Sequence, residues 1–141
     1  IKKYLALTRG VPSHKEGLID LPIGRDPRNR KRMAILSTGR ESRTLYRVLW
    51  SCNNHSLLEC TLLTGRTHQI RVHLRYIGCP LAGDILYGGR NISYQEMGRV
   101  FLHSWKLGFI HPVTLKRLYF TQPLPPELIV YLQNTLSRDQ G

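Results

Sequence analysis

Apolar positions along the chain follow two repeats. In IKKYLALTRG, ending at Gly10, and in the runs TLYRVLWSC and LLECTLLTG, apolar, β-branched and aromatic residues recur with the spacing of strands. The last two runs are separated by NNHS and predict a hairpin. GLIDLPIG reads as a short extended piece, and Pro22, which has no amide hydrogen to give a neighbour, argues for a sheet edge. VFLHSWKLGFIHPVTLKRLYFTQPLP alternates on both sides of HPVTLK and predicts a second hairpin, with His111 in its turn. RDPRNRKR and the Gly-rich CPLAGDILYGGRNIS are expected to be exposed loops.

Two stretches change to the helical repeat. Ile70, Leu74 and Ile77 fall at i, i+4 and i+7, a single apolar stripe, and Gly78 and Pro80 stop it. Thr64 or Thr67 can offer a hydroxyl to the free amides at the helix start, and Gly65 permits a tight entry. PELIVYLQNTLSR closes the chain as an amphipathic helix, with Pro125 or Pro126 near its first position and Leu128, Leu132 and Leu136 on one face. Strands outnumber helices, and no internal repeat is visible. The expected architecture is a single α+β unit spanning 1–141, with a mixed, mostly antiparallel sheet and flanking helices.

Charge narrows the class of partner. Lys and Arg total 21 against nine Asp and Glu, a formal net charge of +12 over 141 residues. Eight basic residues, Arg25, Arg28, Arg30, Lys31, Arg32, Arg40, Arg43 and Arg47, fall in one stretch that holds only Asp26 and Glu41 as acids. A bias of this kind favours a polyanion, most often a nucleic acid, and Arg28, Arg30 and Arg32 are the expected contacts with it. A second basic cluster, Arg66, His68, Arg71 and His73, surrounds the predicted start of the first helix. The helix dipole is already positive there, so an anion is expected between the arginines. A phosphate or a protein carboxylate would serve.

Other chemistry is not indicated. Cys52, Cys60 and Cys79 are odd in number and lack C-x-x-C spacing, so neither a disulfide framework nor a zinc ribbon is expected. His68 and His73 are five apart, roughly 140° around a helix, and do not share a face as a metal pair would. GGR at 88–90 lacks the Lys and Ser or Thr of a phosphate loop. No apolar run approaches the roughly 20 residues that span a bilayer. No charged-then-apolar leader precedes Tyr4 and no Met opens the chain, which reads as a fragment of an intracellular protein of cytoplasm, mitochondrion or nucleus.

LTGRTHQIRVHL, then GCPLAGDILYGG, then FLHSWKLGFIHP resemble in order and spacing the catalytic domain of the RluA-type pseudouridine synthases, from Tyr4 to about Pro126. IKKYLAL resembles that family's Lys-x-Tyr motif and GRESRTLYRVL its basic-then-Thr-Tyr strand, with Ser42 where an Ala is usual. The resemblance implies the family's fold and isomerisation of uridine to pseudouridine in ribosomal, transfer or messenger RNA, by a monomer without metal or cofactor. Arg71 would pair with a catalytic carboxylate. Tyr4 would pack against the target base and assist proton removal, Arg66 and His68 would face phosphate or the flipped nucleotide, and Leu102 would wall the uracil pocket.

One element of the pattern is missing. The family's catalytic Asp sits in a His-Arg-Leu-Asp type motif upstream of the Lys-x-Tyr strand, and these residues contain none. Asp84 matches a Gly-Asp turn expected to fix the loop beside the cleft. The expectation is therefore an active full-length enzyme and an inactive isolated chain. The rivals are a non-catalytic RNA-binding or ribosome-assembly protein on the same scaffold and, further off, a DNA-binding β-domain.

Overall fold

The computed structural model describes residues 2–88, 97–110 and 113–140. Its elements are β1 (Lys2–Arg9), β2 (Glu16–Asp20), β3 (Ile23–Arg25), β4 (Met33–Ile35), β5 (Arg43–Cys52), β6 (His55–Leu62), α1 (Gln69–Tyr76), β7 (Leu102–Ile110), β8 (Arg117–Thr121) and α2 (Pro126–Gln140). Six strands form one sheet in the order β2-β5-β6-β1-β7-β8, and β3 and β4 form a separate ribbon. Every pairing between these strands is antiparallel, the limiting case of the sheet expected. Among the described residues no helix is long and apolar enough to cross a membrane. His111, Arg90 and the side chain of Leu136 lie outside the described residues.

Side-chain alternation along β1 divides the core in two. Ala6 joins Tyr46, Leu58 and Cys60 beneath Ile70 and Leu74 of α1, whereas Leu7 joins Phe101 beneath Leu128 and Tyr131 of α2. The two helices thus cover opposite faces of the sheet. Leu74 and Leu128 are fully buried, and truncating either to Ala would cost about 2–5 kcal/mol. Cys60 is also fully buried, and the lost hydration of its thiolate pushes the thiol pKa up to about 12, so it behaves as a small apolar residue.

Local chemistry accounts for the turns. Asn53 and Asn54 both adopt positive φ, 51° and 58°, which gives the tight β5–β6 hairpin the twist its strands need. Only these two residues of NNHS form the loop. β2 is an edge strand, as Pro22 predicts. RDPRNRKR is more ordered than an open loop: it caps the β3–β4 ribbon, whose three-residue strands are too short to leave a period in the sequence. Asp26 holds this tip, accepting the Arg28 amide at 2.9 Å and pairing with Arg32 Nε at 2.9 Å. The Arg28 amide and then the Arg32 side chain hold the Asp26 carboxyl below the usual range.

Candidate functional site

The C-terminal end of α1 behaves as its sequence suggests. Gly78 (φ 82°) donates to the Arg75 carbonyl and Cys79 to the Leu74 carbonyl, the paired bonds of a Schellman stop. The start differs. Neither Thr64 nor Thr67 caps the helix; the residue at the cap is His68, in the left-handed region (φ 55°, ψ 24°) and without a side-chain cap bond. The expected role of Gly65 also fails, since its φ is not positive and a methyl group there would meet nothing within 4 Å.

Gln69 replaces the threonine cap. Its Oε1 accepts the Arg66 amide at 3.0 Å and the Thr64 hydroxyl at 2.7 Å. Its Nε2 donates to the Arg43 carbonyl and the Thr44 hydroxyl. That hydroxyl donates in turn to His73 Nδ1 at 2.8 Å, which leaves His73 Nε2–H to donate to the Leu21 carbonyl at 2.9 Å. Every donor in the chain has one acceptor only when His73 is neutral, and burial depresses the His73 pKa accordingly. The loop carrying Arg66 and His68 is therefore fixed to β5 by buried bonds.

Five residues expected at a site converge. Tyr4, Arg66, His68, Arg71 and Leu102, with Leu62, Ile70 and Val100, line one cleft of about 280 Å³. Tyr4 stands on β1, opposite Cys60 on one side and Ser104 on the other, where the register with β7 shifts between Lys3 and Tyr4. Such a bulge re-aims side chains, and sequence gives no warning of it. Arg28 and Arg30 are exposed at the tip of the β3–β4 ribbon, outside the cleft lining. Arg32 spends its Nε on Asp26 and acts first as a staple of that tip. A larger cavity, about 520 Å³, opens beside Lys3, Leu45 and Glu59, on the sheet face opposite Tyr4, and gathers none of the five.

The anion demanded by the basic cluster proves to be internal. Arg71 grips Asp84 with two prongs, Nε to Oδ2 and Nη2 to Oδ1, each 2.9 Å. The Asp84 side chain is fully buried, and its Oδ1 also accepts the Tyr87 amide at 3.1 Å. Hydrogen bonding to Asp84 raises the Arg71 pKa further above its ordinary value. The grip leaves Nη1 for another acceptor. Arg66 is anchored through Nε to the Glu41 carbonyl at 2.9 Å. Burial, and next the charge of Arg71, lower the His68 pKa, so its imidazole is neutral at pH 7. Gln69, Asp84 as the partner of Arg71, and Tyr87 are the residues that sequence reasoning did not place at the site. The Gly-Asp-x-x-Tyr spacing at 83–87 carried the signal for the last two.

Residues 1–76 match the profile of the RNA pseudouridylate synthase family. An uncharacterized RNA pseudouridine synthase of Chloroflexus aurantiacus is 50% identical over 137 residues, 97% of this chain and 43% of that protein. The ribosomal large subunit pseudouridine synthase D of Nitrosomonas europaea is 44% identical over 94% of this chain and 40% of its own length. The structure of human RNA pseudouridylate synthase domain containing 1 superposes with a TM-score of 0.75 at 32% identity, covering 90% of this chain and 56% of that one. The chain spans less than half the length of the two bacterial relatives. With the profile covering more than half of its residues, the chain belongs to the RNA pseudouridylate synthase family.

Proposed function

We propose that these residues form the larger part of the catalytic domain of an enzyme that isomerises uridine to pseudouridine in RNA. The observation that carries this reading is the convergence of Tyr4, Arg66, His68, Arg71 and Leu102 on one cleft. At about 280 Å³ the cleft lies near the small end of ligand pockets, roughly 300–1,000 Å³, a size suited to one nucleotide turned out of its stack. Tyr4 supplies an aromatic face for the base and Leu102 an apolar wall. Arg66 and the exposed Arg28 and Arg30 supply positive charge for the backbone, with Arg32 behind them.

The reaction is an isomerisation: the bond from ribose to the ring nitrogen breaks, the uracil turns, a bond from ribose to carbon five forms, and the proton that this carbon loses to solvent is balanced by one taken up at the freed ring nitrogen. A carboxylate from outside these residues assists the cleavage, oriented by the free Nη1 of Arg71. Tyr4 assists removal of the proton. The chemistry calls for no cofactor. The relatives' names make large-subunit ribosomal RNA the first substrate to try. The full-length protein is expected to release tritium from RNA carrying uridine labelled at carbon five, and the 141 residues alone to release none. Release by the isolated chain, or none by the full protein on any RNA, would sink this reading.

RNA binding without turnover is the second reading, favoured for the isolated chain by one observation. Asp84, the acid beside the cleft, is fully buried and already held by Arg71. It does not line the cleft.

A further inference from the structure

Tyr87 touches three parts of the molecule at once. Its hydroxyl accepts the Met33 amide at 2.8 Å, at the end of β4 next to the loop that carries Arg28 and Arg30. The same hydroxyl lies 2.7 Å from His68 Nδ1. With the Met33 amide donating to its oxygen, the hydroxyl's own hydrogen is available to Nδ1, an arrangement that puts the His68 proton on Nε2. The His68 and Tyr87 rings meet edge to face, 5.5 Å apart at 81°, and the Arg71 guanidinium stands over the Tyr87 ring at 5.1 Å. The ring is only 3% exposed, held with Ile23 and Val72. It cannot swing aside without opening that cluster.

From this geometry we infer that Tyr87 is a positioning residue: its hydroxyl locks the basic ribbon to the cleft and sets the tautomer of His68, so that a grip on RNA by the ribbon is relayed to the group facing the base. The inference rests on the functional reading above only for what the relay serves. The lock itself is a property of the fold.

Tyr87→Phe isolates the hydroxyl, because it keeps the ring and therefore the packing and the contact with Arg71. In the full-length protein, hydrogen exchange at the Met33 amide should accelerate about tenfold, the order expected when one hydrogen bond is lost. At the same time the long-range nitrogen spectrum of the His68 imidazole should change from one tautomer to a mixture, while the amides of β5 and β6 stay protected. If either signal stays as in the wild type, the lock does not exist. In single-turnover assays on a tritium-labelled large-subunit RNA transcript, the rate at saturating protein should fall about tenfold with little change in the half-saturating concentration. A normal rate with both spectral changes present would mean that the hydroxyl holds structure only, and would overturn its positioning role. A wild-type protein inactive on every RNA would sink the functional reading instead, and the two spectral signals would then decide the lock by themselves.

Discussion

Thr44 on β5 and His73 on α1 share a buried hydrogen bond of 2.8 Å in which the hydroxyl must donate and the imidazole must accept. Protonating His73 would turn Nδ1 into a donor and take from the Thr44 hydroxyl hydrogen the acceptor it uses. Burial already lowers its folded pKa below the unfolded value of about 6.5. A depressed pKa gives stability that is complete above about pH 6.5 and is lost as pH falls below it, with His68 adding in the same direction. Thermal melts between pH 7.5 and pH 5 should therefore show a falling midpoint, and His73→Gln should flatten the fall. An equal slope in the variant would assign the effect to other groups.

The pair of Arg71 with Asp84 predicts an asymmetry between one substitution and two. Asp84→Asn leaves a half-buried guanidinium without its counter-charge and should cost about 3 kcal/mol of stability, measured by urea unfolding. Replacing both partners with apolar residues of similar size should recover much of that loss. Activity should not return in the double variant, since Nη1 of Arg71 has gone with the ion pair. Arg71→Lys should be nearly as damaging to turnover as Arg71→Ala, because an ammonium cannot hold two acceptors in a plane.

Salt dependence tests the ribbon. Arg28→Ala with Arg30→Ala should weaken binding to every structured RNA alike and lower the magnitude of the salt slope by about 1.5 to 2, as two phosphate contacts are lost. Arg32→Ala should act differently, through the Asp26 staple, and loosen the tip before it changes the charge count at the RNA. A slope that does not change in the double variant would remove the ribbon from the RNA surface.

Two glycines with similar backbone angles should respond very differently to alanine. Gly78 (φ 82°) has open space where a methyl group would go, so Gly78→Ala should cost about 1 kcal/mol of left-handed strain. At Gly83 (φ 81°) the methyl group would collide with the Arg99 carbonyl. Gly83→Ala should be severely destabilising and should displace Asp84, its neighbour, from Arg71. Comparable melting points for the two variants would contradict this account.

The sheet was largely legible in the sequence because its strands are long or closed by strong turn formers, as Asn53 and Asn54 close β5 and β6. The stripe Ile70, Leu74 and Ile77 gave α1, and Gly78 gave its end. The helix start was not legible: the competition between Thr64, Thr67 and Gln69 for one set of amides is decided by Arg43 and Thr44, which stand on a distant strand. Charge alone could say that the arginines want an anion. That the anion is Asp84 depends on a turn folded back beside α1, a relation no local period encodes. The candidate residues of the cleft were named from a family pattern, and the fold brings five of them together while leaving Arg28, Arg30 and Arg32 on the ribbon.

The place of β1 in the sheet bears on how the cleft is built in time. The strand carrying Tyr4 lies in the middle, yet its partners β6 and β7 come much later in the chain, with Tyr4 opposite Cys60 and Ser104. Closing such distant pairs costs chain entropy before any pairing rewards it, so folding is expected to wait on that step. The β5–β6 hairpin is local and can form early on a ribosome, offering an edge on which β1 docks. Tyr4 meets Leu102 only when β7 has been made. The cleft is thus among the last parts of the molecule to exist, and a nascent chain stalled before β7 would hold a basic surface with no cleft beside it.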